Sequence, residues 1–126
     1  MAAFSTTVDN KILDHLLGTA AYTMPTTVNV ALYTAAPTAA GGGTEATYTG
    51  YARVATTGLW AAASLGSKAN SGALTFPLCT AGSSNITAFG LLDQTGGLLA
   101  FGLCTLSVSA GITPAFAAGQ LTVSLS

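Results

Sequence analysis

The spacing of apolar positions divides the chain into one helical segment and a long β-prone remainder. Val8, Ile12, Leu13, Leu16 and Leu17 recur at intervals of three and four, which places them on one stripe of an α-helix. Thr6-x-x-Asp9 at its start resembles a capping box, with the acid in the first turn where the helix dipole favours it. His15 stands near the C-terminal end, and Gly18 suits the position just past it. Asn10, Lys11 and Asp14 hold the opposite face. The pattern predicts a short amphipathic helix within an N-terminal segment, residues 1–18, with Ile12 and Leu16 on the face that needs a partner.

From Val28 onward the period changes to two. Val28, Val30 and Leu32 alternate with polar or small residues, as in a half-buried strand. Pro37 and then Gly41-Gly42-Gly43 predict a long, mobile loop. Tyr51 to Thr57 reads as a second strand, and Ala73 to Leu78 as another, ended or bulged by Pro77. Leu59 to Lys68 is Ala-rich and fits either a strand with Trp60 inward or a short helix. Ile86 to Leu92 and Leu98 to Leu106 form the clearest unit, a hairpin around Asp93-Gln-Thr-Gly-Gly97. Leu121, Val123 and Leu125 alternate strictly in a closing strand, residues 120–126. Short strands with frequent turns predict a mainly β fold, an antiparallel β-sandwich or jelly-roll-like domain with one short N-terminal helix. A single domain, residues 1–126, is expected, with the β-sandwich over 28–126.

Composition narrows the function. Only 6% of the 126 residues are charged, three basic and four acidic, against about 25% in an ordinary soluble domain. Half of the residues are hydrophobic, which excludes disorder. Lys11, Arg53 and Lys68 are too few to neutralise a phosphate backbone, so no nucleic-acid partner is expected. No membrane partner is expected either, because the most apolar stretch, Leu98 to Ile112, is interrupted by Thr105, Ser107, Ser109 and two glycines. The first residues lack a basic and then apolar leader pattern, so synthesis and assembly in the cytoplasm are expected. A surface so poor in charge is best explained if neighbours cover it, which predicts a homo-oligomer.

Candidate chemistry is sparse. His15 is the only histidine, and a solvated helix position explains it better than a nucleophile–base pair. Asp9 and Asp14 belong to the helix, Asp93 to its turn, and Glu45 either anchors a loop or contacts a neighbour. Gly41-Gly42-Gly43-Thr44 lacks the lysine and spacing of a phosphate loop. Cys79 and Cys104 are expected as free buried thiols. No enzyme and no cofactor are expected. Arg53 stands out as the sole arginine, set in a predicted strand: it is either paired, with Glu45 or Asp93, or exposed on a sheet face. Tyr48 and Tyr51, beside the glycine loop, are the aromatic pair to consider for surface contact.

The order of motifs carries a resemblance. A helix ending in Leu-Leu-Gly precedes Pro-Thr-Thr-Val-Asn-Val-Ala-Leu-Tyr-Thr-Ala-Ala-Pro, then Gly-Gly-Gly-Thr-Glu, Gly-Tyr-Ala-Arg-Val and the Phe-Gly-Leu-Leu-Asp hairpin. This resembles a family of small tailed-bacteriophage virion structural proteins, often labelled tail fibre protein and similar to capsid decoration, or cement, proteins. The resemblance implies a place on the virion. The expectation drawn from it is a decoration protein on the capsid surface, bound between capsomers to the major capsid protein, with a trimer as the candidate homo-oligomer. The alternative is a tail-fibre or tail-tip module that binds the host surface. Residues 1–18 and the Pro37–Tyr51 loop are the contact candidates.

Overall fold

A computed structural model describes residues 2–125; Met1 and Ser126, the outermost positions of the expected N-terminal segment and closing strand, lie outside the described residues. The chain runs β1 (Ala2–Phe4), α1 (Thr6–Leu16), β2 (Asn29–Ala35), β3 (Thr44–Glu45), β4 (Val54–Ala55), β5 (Ser67–Ala69), β6 (Leu74–Thr75), β7 (Ser83–Leu92), β8 (Leu98–Ser109), β9 (Ala115–Phe116) and β10 (Thr122–Ser124). Eight strands form one sheet in the order β3-β2-β7-β8-β1-β10-β5, with β4 also on β2, while β6 and β9 form a two-stranded sheet. Pairing is antiparallel except between β1 and β10. The fold is mainly β with one helix, consistent with a β-sandwich, as the alternation predicts.

The β7–β8 hairpin is the spine. It extends the predicted strands by three residues at each open end and turns where expected, with the Asp93 N–H donating to the Gly97 carbonyl. The inner face packs Val30, Leu32, Phe89, Leu91 and Ala100 against Leu74 and Phe116 of the small sheet. Phe116 meets Phe89 and Phe76 edge-on at 5.9 and 6.1 Å between ring centroids, a favoured aromatic geometry. Ala31, Tyr33, Ala88 and Leu92 are buried on the other face. The two sets alternate along β2 and β7, so these central strands are buried on both faces.

Several local expectations are corrected. Ser5, not Thr6, caps α1: its Oγ accepts from the Val8 N–H at 3.3 Å and donates to the Leu98 carbonyl at 2.7 Å. Ala2–Phe4 is a strand rather than part of the helical segment. The Pro37–Gly43 stretch is a tight turn with reciprocal Thr38–Gly41 backbone hydrogen bonds. Gly43 has φ +85°, and a Cβ there would lie 2.8 Å from the Pro37 nitrogen, so only glycine fits. The Tyr51–Thr57 strand shrinks to Val54–Ala55, because Tyr51 and Arg53 belong to a loop. Pro77, with no N–H to donate, lies beyond the two residues of β6. Residues 59–66 are neither helix nor strand; Trp60 is half-buried and donates from Nε1 to Thr56 Oγ1 at 2.9 Å.

Candidate functional site

β3 and β4 pair with successive parts of β2 and leave a gap opposite Leu32. The Leu32 carbonyl accepts from the Ala46 N–H, and its own N–H donates to the Tyr51 hydroxyl at 3.1 Å, so a phenol stands in for the missing strand. Tyr51 in turn donates to Glu45 Oε2 at 2.5 Å. Arg53 grips both carboxylate oxygens, Nε to Oε2 and Nη2 to Oε1, each at 2.9 Å. Glu45 ends β3 and Arg53 precedes β4, so strand pairing brings the two together.

The electrostatics follow from this geometry. Hydrogen bonding from Arg53, with a contribution from Tyr51, holds the Glu45 carboxyl below the usual range, against the opposing effect of burial. Burial, reinforced by Glu45, raises the Tyr51 phenol well above its ordinary value. The side chains of Arg53 and Glu45 are 41% and 27% exposed, so the pair is a surface staple across the 46–53 loop. Tyr48 does not present a surface. It is buried, donates to the Pro77 carbonyl at 2.9 Å and meets Tyr51 edge-on at 5.5 Å. Asp93, the other acid considered for Arg53, is occupied by its own turn. Its Oδ1 accepts from the Thr95 hydroxyl and from the Thr95 and Gly97 N–H groups, which lowers its pKa.

The helix departs from expectation in its burial. Val8 is buried and Ile12 partly so, but Leu13, Leu16 and Leu17 are 55%, 71% and 78% exposed. Lys11 sits over the Tyr22 ring at 5.4 Å and His15 Nδ1 accepts from the Tyr22 N–H at 3.1 Å, so these side chains hold the following loop. The remaining face is left to solvent.

The spacing of residues did not reveal a cavity of about 360 Å³, open to one side and lined by Phe4, Val28, Trp60, Leu91, Leu99 and Val123. These come from six separated places in the chain, so no local motif marks them. Lys68, on the edge strand β5, lines the same cavity. Among the described residues no group of three or more His, Cys, Asp or Glu side chains gathers to hold a metal. Cys79 is free and buried; Cys104 is free and half-buried, and burial pushes its thiol up to about 11.

The geometry defines a small, mainly β module, stapled at Arg53–Glu45 and exposing an apolar helix face. Residues 3–124 match the family of podophage GP4 fiber I protein gp80, and the chain belongs to that family. It is therefore a phage fibre-type structural protein, associated with the virion. No curated protein matches it.

Proposed function

We propose that this chain is a non-catalytic structural subunit of a phage tail fibre, working through contacts with copies of itself and with neighbouring virion proteins. Membership of the fibre family across residues 3–124 carries this assignment. The sparse charge and the exposed leucines of α1 support it, because a surface built this way is suited to being covered. Glu45, Tyr51 and Arg53 serve the framework here, keeping the 46–53 loop in place.

The sparse charge equally suits a decoration protein bound between capsomers to the major capsid protein. Location separates the two. Labelled antibody against the chain, imaged on intact particles, is expected to mark a few positions at the tail. Dense labelling over the head would replace the fibre assignment with decoration.

A further inference from the structure

Two surface features of this chain fit each other. The first is the free face of α1. At 3.6 residues per turn, Asp9 falls between Leu13 and Leu16, with Leu17 beside them, and all four are exposed. This face is apolar with a negative centre. The second is the cavity between β1, β8, β10 and the Trp60 loop, apolar throughout except at Ser67 and Lys68. The three basic residues are unequally engaged: Lys11 lies over Tyr22 and Arg53 is bound to Glu45, whereas Lys68 has no ion pair among the described residues. A cation, Lys68, therefore stands at the apolar cavity, and an acid, Asp9, stands within the apolar helix face.

Size agrees with charge. An apolar cavity of about 150 Å³ accepts one benzene-sized group. The volume of about 360 Å³ thus has room for two leucine side chains. A third observation lies on the rim. Leu65 is fully exposed at φ +52° in the Ser64–Ser67 turn, next to lining residue Gly66, where asparagine or glycine would be less strained. Leu125, 58% exposed, extends the apolar rim on the other side.

We propose that the α1 face of one copy docks into this cavity of the next, with Leu13, Leu16 and Leu17 entering or covering it and Asp9 meeting Lys68. The two surfaces are different patches, so the contact is head-to-tail and repeats into a ring or an open row. This adds a self-assembly contact to the fibre role and does not depend on where the protein sits on the particle.

The test is sedimentation of the full chain at about 100 μM, a concentration that populates micromolar contacts. The wild type is expected to pass beyond a dimer of the 12.4 kDa chain. Leu17→Glu and Lys68→Glu, both at exposed positions, are each expected to weaken association by about tenfold or more, with unchanged circular dichroism. Mixed in equal amounts, the two variants each retain one good half and are expected to stop at a dimer. The exchange variant Asp9→Lys/Lys68→Glu is expected to regain association. A monomeric wild type, a wild type that stops at two, or variants that associate like the wild type would each overturn the proposal. A tail location with no self-association would leave the fibre role standing alone.

Discussion

At the scale of single residues, Arg53 matters through the geometry it closes. An exposed ion pair is worth about 0–1 kcal/mol, but a bidentate pair that also fixes a phenol and a strand gap lies at the upper end. Arg53→Ala is expected to cost about 1 kcal/mol, a fall of about 3–6 °C in melting temperature; a shift near zero would mean the staple holds nothing. The carboxylate gives this a pH signature. Glu45 has a lower pKa folded than unfolded, so its contribution is complete above about pH 4.3 and is lost as pH falls through the folded value. The gap in melting temperature between wild type and Glu45→Gln is therefore expected to narrow from about pH 6 toward about pH 3. Asp93 shifts in the same direction but is present in both proteins and cancels. Leu65 offers the opposite sign. A left-handed leucine costs about 1–2 kcal/mol, so Leu65→Asn is expected to raise stability by about 1 kcal/mol, read from denaturant midpoints.

At the scale of elements, the helix is held at one end and free along one side. Ser5 is buried and does two things at once, capping α1 and bonding to the Leu98 carbonyl on β8. Ser5→Ala is expected to cost about 1–2 kcal/mol. Amide exchange should rise over Val8–Leu13 while the β7–β8 hairpin keeps its protection; a uniform rise would show that the cap supports the whole fold instead. The helix also shows what a sequence can and cannot convey. Its stripe was legible because periodicity reports which side chains share a face, but nothing in periodicity says what covers that face. The β7–β8 hairpin was legible because alternation and a glycine turn agree locally. β1 was not, since three residues have no period and Ala2–Phe4 becomes a strand only by pairing with β8 and β10. The Tyr51–Thr57 misreading has a similar cause: β-prone residues are present, but a side-chain hydroxyl takes the backbone partner that a strand would have used. Arg53–Glu45 was visible as one of two pairings, and the choice fell to β3 and β4 lying on the same edge. The cavity was invisible because its lining spans residues 4 to 125.

At the scale of the whole molecule, the few charges are mostly consumed inside it. Arg53 and Glu45 hold each other, Lys11 lies over Tyr22, and Asp93 closes its own turn. Asp14 lies on the Lys11 side of α1, and Asp9 and Lys68 remain beside apolar surface, so contacts between copies have leucine as their main substance and one ion pair as their guide. These two contributions respond oppositely to conditions, and the response tells which dominates. An exposed pair is worth about 1 kcal/mol at most, and about 1 M salt screens nearly all of it. Screening alone would weaken association by roughly fivefold. Apolar burial strengthens on warming and in sulfate, which is excluded from protein surfaces. Association measured by sedimentation is therefore expected to fall no more than about fivefold between low salt and about 1 M sodium chloride. It is expected to rise in ammonium sulfate of equal ionic strength, and again between about 5 °C and about 30 °C. In the Lys68→Ala variant the sodium chloride dependence should vanish while the sulfate and temperature responses persist. A contact that collapses in sodium chloride, or weakens on warming, would be carried by charge, which a chain with this composition has least means to supply.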